Sequence, residues 1–297
     1  MSILEIAQDN RFVSVERGFL VISHHREELG RIPLDMLDAV IVTGHGITYS
    51  NNALLKLCQH DVPVIICGEN YHPAGIVTGM ALHYKQTERL EYQIAAGKPL
   101  KKQLWKTIVQ HKIRHQMYAL ERAGKHSKSF ETLLNKVRSG DPDNIEAQAA
   151  QRYWKRLFGT GFNRDPNENG INAFLNYGYA VIRGAVARFT VGSGLHPSIG
   201  IHHHNKLNAF CLVDDLMEPF RPLVDRTVFA LFAPHFSHTE LTLTPDYKKQ
   251  LAGILERPIY TAGEESTVNN GIQKFVWSYV ESLSSGKCLL LEFEEKE

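Results

Sequence analysis

Apolar residues recur in two different rhythms along the chain, and the change falls near residue 80. Before it, short runs rich in β-branched and aromatic residues (RFVSVE, GFLVIS, AVIVTG, VPVIICG, AGIVTG) are separated by Gly, Pro, Asp and His, the pattern of strands bounded by turns. One amphipathic segment interrupts them. Ser50 stands where it can cap a helix through NNALLKLCQH, which ends near Asp61 and leads into a strand from Val62 to Cys67. Beyond residue 80, HYKQTERLEYQIAAG, KKQLWKTIVQHKIRHQMYALERAG and FETLLNKVRSG place apolar residues three and four apart, with Gly97, Gly124 and Gly140 at the stops. The fold class expected is α+β: a mainly β domain over 1–80, then a larger helical domain over 81–297.

Further helices follow from the same period. Pro142 and Asp143 introduce NIEAQAAQRYWKRLFG, which ends at Gly159. With Asp143 as N-cap and Glu146 at the third helical position, the pair reads as an Asp variant of the capping box, in which the glutamate satisfies a free backbone amide. Composition alone favours that role for Glu146 over a catalytic one, unless a partner elsewhere claims it. A long apolar helix is expected from about Asn172 to Val191. Its Gly178 and Gly184 each cost roughly 1 kcal/mol relative to Ala, which implies that something packs closely against them. After a loop punctuated by Gly194, Pro197 and Gly200, a helix is expected from about Asn205 to Met217. The segments PDYKKQLAGILERP and TVNNGIQKFVWSYVESLSSG supply two more, and LEFEEKE is an acidic tail.

Composition narrows the class. The 297 residues, 43% hydrophobic and 22% charged, can bury a sizeable core. No apolar run approaches the roughly 20 residues that span a bilayer, and MSILEIAQDN lacks the features of a signal peptide, so a cytoplasmic protein is expected. Cys58, Cys67, Cys211 and Cys288 have no CxxC spacing, which indicates neither a zinc knuckle nor a disulfide scaffold. The formal net charge of +1 conceals an uneven distribution: residues 1–80 carry five Lys/Arg against nine Asp/Glu, whereas residues 81–140 carry 13 against four. Such a basic block suits a polyanion, although it also suits a solvated helical surface.

The densest chemistry lies in GIHHHNKLNAFCLVDDLMEPFRP, where His202, His203 and His204 precede Asp214, Asp215 and Glu218. A carboxylate cluster repels itself unless a cation or protons neutralise it, and histidine with carboxylate suits Mn²⁺, Zn²⁺ or Fe²⁺. There is no GxSxG elbow and no cysteine placed as a nucleophile beside these histidines. Asp215 and Glu218, three apart on a helix, can share a face, which leaves Asp215 either as a group orienting a ligand or as helix surface. Arg221 can pair with these acids or with a phosphate.

With IEAQAAQRYW, LNYGYAVIRGAV, GLHPSIGIHHHN and DDLMEPFRP in this order, the chain resembles the CRISPR spacer-acquisition integrase, the universal CRISPR-associated endonuclease of the adaptation module, in its type II form. The resemblance implies a small β-sandwich-like N-terminal domain that serves dimerisation and DNA contact, followed by an all-helical catalytic domain. It implies metal ligands at Glu146, His203 and Glu218, since the family's metal histidine stands third after the loop glycine and fifteen positions before the glutamate, which here are Gly200 and Glu218. Mg²⁺ or Mn²⁺ is the implied cofactor. The implied activity is joining of 3′-OH ends of short foreign DNA duplexes into a CRISPR array by transesterification. Implied partners are double-stranded DNA (spacer precursor and CRISPR repeat), a second copy as homodimer, a dimer of a small companion CRISPR-associated protein and the type II effector nuclease; no membrane is involved. Two alternatives stay open: a metal-dependent nuclease or phosphodiesterase without joining activity, and a non-catalytic DNA-binding scaffold.

Overall fold

A computed structural model describes residues 2–68, 73–79, 85–233 and 242–295. The chain forms two compact units, Met1–Tyr84 and Lys85–Glu297. The first holds strands β1 (Ser2–Ile6), β2 (Phe12–Glu16), β3 (Phe19–His24), β4 (Glu27–Pro33), β5 (Leu37–Val42), β6 (Thr48–Tyr49), β7 (Val64–Cys67) and β8 (Pro73–Val77), with helix α1 (Asn51–Gln59) between β6 and β7. They build two four-stranded sheets, ordered β1-β5-β7-β8 and β4-β3-β2-β6. In the first sheet β1, β5 and β7 run parallel and β8 returns antiparallel.

Alternation explains this unit's core. Val13 on β2 and Leu20 on β3 point one way, Val40 and Val42 on β5 and Val64 on β7 the other, and all join one buried cluster with Ala53 and Leu57 of α1. Ser50 caps α1 as expected, its hydroxyl accepting from the Ala53 amide at 3.1 Å. β4 has no apolar alternation to announce it: EELGRIP is exposed over most of its length and is recruited by pairing with β3.

The second unit contains α2 (Gln86–Ala95), α3 (Lys98–Arg122), α4 (Ser129–Lys136), α5 (Ile145–Phe158), α6 (Ile171–Gly192), α7 (Cys211–Met217), α8 (Arg221–Phe232), α9 (Pro245–Ala252) and α10 (Val268–Ser285). The strand-rich start and helical remainder agree with the expected fold class. A small antiparallel sheet is added to the helices, with β9 (Pro258–Thr261) between β10 (Glu264–Thr267) and β11 (Phe293–Glu295). The acidic tail is therefore partly built in: the Phe293 ring stacks on His115 at 4.0 Å and on Phe220 at 4.6 Å.

Two helices organise this unit. Helix α6 is buried along most of its length, and Gly178 explains the close packing expected of it: a Cβ there would lie 2.3 Å from Val224 of α8. Helix α3, the most basic segment of the sequence, is buried on most of its circumference, including Trp105, Ile108, His111, Lys112 and His115. It packs against α5, α8 and the 3₁₀ turn Glu218–Phe220 that joins α7 to α8. Burial, which the charge pattern did not reveal, pushes the His111 and His115 imidazoles down to about 4 and about 3.

Candidate active site

The ends of α5 and α7 and the middle of α3 meet at one corner of the second unit. Glu146 enters from the first turn of α5, but the expected capping box does not form. Asp143 instead pairs with Arg138 at 2.7 Å, and Asn144, in the left-handed region at φ 50°, is the residue that enters the helix. The cap is Asp141, a buried carboxylate that accepts from the Ile145 and Glu146 amides at 2.9 Å each. With the amides served by Asp141, the Glu146 side chain is released to point at α3, where it accepts from the ammonium of Lys112.

Glu218 reaches the same point from the turn after α7. Lys112 Nζ lies 2.5 Å from Glu218 Oε2, so one ammonium bridges both glutamates. Arg221 adds a second cation, its Nε 2.7 Å from Glu218 Oε1 and its guanidinium 4.7 Å over the Tyr179 ring. Burial alone would raise the Glu218 carboxyl; Arg221 and Lys112 together, with His203, hold it down at about 2. Burial likewise disfavours the charged form of Lys112, but Glu218 and Glu146 outweigh it and keep the ammonium charged.

The histidine loop is fixed from two sides. Gln93 of α2, almost fully buried, donates to the His196 carbonyl at 3.1 Å and accepts from the His196 amide at 2.8 Å. Asp215, with none of its side chain exposed, accepts from the Ile201 and His202 amides at 2.7 and 2.9 Å. Its other oxygen takes His203 Nδ1 at 2.5 Å. This bond raises the His203 pKa. In the neutral ring it assigns the proton to Nδ1 and leaves the Nε2 lone pair free, which is what metal ligation asks of an imidazole. Gly200 is required by this clamp, because a Cβ there would sit 2.3 Å from the His203 carbonyl oxygen.

The three adjacent histidines thus have different surroundings. His202 stacks on Trp105 at 4.2 Å with planes 4° apart, whereas His203 meets the same ring edge-on at 5.5 Å. His204 is exposed. Asp214 is turned away and binds Arg183 at 2.7 Å and the Asn208 amide group at 2.7 Å. The helix expected from Asn205 starts only at Cys211, because Asn205 and Asn208 spend their side-chain oxygens on the nearby Leu207 and Phe210 amides in turns that compete with helix.

Of the three residues expected as ligands, Glu146 and Glu218 converge on a single cationic position, while His203, its Nδ1 held by Asp215, is near enough to Glu218 for the two to shift each other's pKa. Among the described residues no three His, Cys, Asp or Glu side chains are closed into a ready-made cation cage; the cation at the glutamates is Lys112. The donor chemistry fits a divalent metal: two carboxylates already aimed at positive charge, and an imidazole in the required tautomer. Lys112 and Trp105 escaped the sequence reading. They stand seven apart on α3, and that two-turn spacing on a buried face was the available signal.

Comparison with known proteins places this geometry in context. The model of the family described as CRISPR associated protein Cas1 matches residues 4–249. The CRISPR-associated endonuclease Cas1 of Neisseria meningitidis serogroup C is 34% identical over 292 residues, covering 98% of this chain and 95% of that protein. Among solved structures, a casposase bound to integration product superposes with a TM-score of 0.81 at 20% identity, covering 97% of this chain and 92% of the other. A Cas6-RT-Cas1–Cas2 complex superposes with a TM-score of 0.76 at 17% identity, over 97% of this chain and 35% of the other. At those identities the structural likenesses speak for the fold.

Proposed function

The chain belongs to the Cas1 family of CRISPR-associated proteins, and from that premise we propose that it is a metal-dependent DNA endonuclease and integrase that joins 3′-OH ends of short duplexes into a CRISPR array. The observation that carries this reading is the convergence of Glu146 and Glu218 on one cationic point, with His203, whose Nδ1 is already engaged by Asp215, within electrostatic reach of Glu218. Glu146, His203 and Glu218 are the residues that would hold Mg²⁺ or Mn²⁺. Bound there, the ion supplies Lewis-acid stabilisation to the charge that builds on phosphorus when an oxygen nucleophile attacks a phosphodiester.

The chain's own groups set up that chemistry. Asp215 orients His203 while collecting the Ile201 and His202 amides, Asp141 frees Glu146 from capping, and Arg221 helps keep Glu218 from taking a proton. No nucleophilic side chain is needed, since the attacking oxygen is the DNA 3′ hydroxyl or water. DNA would be held largely through phosphates without regard to sequence. An open groove lined by Lys98, Lys102, Gln103, Ser139 and Lys287 is one surface suited to that. Within the same reading the protein acts as a homodimer with a small companion CRISPR-associated protein dimer, and the type II effector nuclease is a further partner. Among the described residues no helix is long and apolar enough to cross a membrane.

Incubation with a labelled duplex and a supercoiled target separates the readings. Covalent joining supports integrase, cleavage alone a nuclease, and binding alone a scaffold. Glu146→Ala, His203→Ala and Glu218→Ala should each abolish joining and leave DNA binding largely intact. Full activity of His203→Ala together with an inactive His202→Ala would move the ligand by one position.

A further inference from the structure

Lys112 presents a charge problem. Its ammonium touches both Glu146 and Glu218, and Arg221 pairs with Glu218, so two cations already balance two anions in a corner where Lys112 and Glu218 are each only 10% exposed. A divalent ion added with Lys112 in place would leave these four side chains and the ion with an excess of two positive charges, which the buried Asp225 nearby offsets at most in part, and uncompensated charge in a low-dielectric setting is strongly unfavourable. The excess disappears if the ammonium withdraws and an anionic phosphate arrives. A lysine suits that exchange: it is a compact charge on a flexible four-carbon stem with three donors and no fixed geometry.

We propose that Lys112 is a resident counter-cation: it holds Glu146 and Glu218 together in the metal-free protein, competes with the divalent ion for them, and so couples metal binding to the arrival of a DNA phosphate. This rests on the metal reading of the site. The coupling is reciprocal, so metal must strengthen DNA binding by the factor by which DNA strengthens metal binding. A bridge that only supports the fold differs in sign: its removal would weaken metal binding, whereas removal of a competitor strengthens it.

The test is Mn²⁺ affinity, read from the electron paramagnetic resonance signal of free Mn²⁺. The full-length chain, Lys112→Met and Lys112→Arg are titrated with and without a short duplex whose 3′ ends are dideoxy-terminated to prevent joining. The expected result is that Lys112→Met binds Mn²⁺ about tenfold tighter or more without DNA and loses most of the duplex dependence, while Lys112→Arg, which retains the charge, binds Mn²⁺ no tighter than wild type. Lys112→Met should also melt lower in EDTA and recover with Mn²⁺. If Lys112→Met binds Mn²⁺ no tighter than wild type, or wild-type affinity is the same with and without duplex, the competition is refuted. If Lys112→Met folds under neither condition, the duplex dependence of wild type alone decides. If wild type binds no Mn²⁺ in either state, the metal reading itself fails instead.

Discussion

Asp215→Asn isolates the histidine's tautomer from the loop's architecture. The substitution is isosteric at a side chain with no exposure, so packing is preserved. The new amide must choose how to face its partners. One carboxylate oxygen serves the Ile201 and His202 amides at 2.7 and 2.9 Å, while the other serves His203 Nδ1 at 2.5 Å. Turning the NH₂ toward the backbone would leave two N–H groups facing N–H groups, at about 1–3 kcal/mol each. The oxygen therefore stays on the backbone side and the NH₂ faces Nδ1. The ring must then accept at Nδ1 and carry its proton on Nε2, the atom assigned to the metal. Exchanging charge-assisted for neutral hydrogen bonds at these sites should cost about 2–3 kcal/mol of stability, too little to unfold a chain of this size. Metal affinity and joining should fall by about 10- to 100-fold or more, as when the group that orients a metal-bound histidine is removed. Two-bond ¹H–¹⁵N correlation spectra of the metal-free protein report the tautomer, urea melts the stability, and the duplex-joining assay the activity. Wild-type joining by Asp215→Asn, or a His203 ring still protonated on Nδ1, would refute the reasoning.

Three further outcomes are expected. Asp225, fully buried and accepting from the Tyr179 hydroxyl, is pushed up to about 7 by burial. Its folded pKa exceeds the unfolded value of about 4, so the folded state binds more protons between the two, and stability falls as pH rises from about 4 to about 7. Asp225→Asn should flatten that slope and melt higher than wild type at pH 8, as read by thermal melts across pH; an unchanged slope would contradict it. Gly178→Ala should destabilise by about 1–3 kcal/mol through collision with Val224, whereas Gly192→Ala, with nothing within 4 Å, should be neutral or slightly stabilising; urea titrations of the two distinguish packing from helix propensity. Asp141→Ala should cost about 1–2 kcal/mol and slow joining because Glu146 loses its anchored first turn, while Asp143→Ala should leave joining unchanged; the reverse ranking in melts and joining assays would restore the capping box.

What could be read from the sequence was what local pattern controls. Ser50 caps α1 because N-cap chemistry is complete within four residues, whereas for Asp215 the sequence left two roles open, an orienting group or helix surface, and the bond to His203 twelve residues away decides for the first. Gly178 announced a close neighbour, though not that it is Val224. The failures arise where distant partners decide. Asp141 takes the cap from Asp143 because Asn144 adopts a left-handed backbone that the capping-box pattern does not encode. Lys112 is indistinguishable in sequence from the other cations of its block, and only the packing of α3 against α5 and the Glu218 turn makes it a buried bridge. β4 and β11 lack apolar alternation and exist through pairing with β3 and β9.

The central claim is that Glu146, His203 and Glu218 hold one divalent ion. A crystal structure of the protein grown with Mn²⁺ and a dideoxy-terminated duplex, with anomalous data at the manganese edge, tests it most directly. The expected result is a single anomalous peak coordinated by a carboxylate oxygen of Glu146, a carboxylate oxygen of Glu218 and Nε2 of His203, with Asp215 still on Nδ1. A peak ligated by His202 or His204, or manganese bound away from the two glutamates, would contradict it.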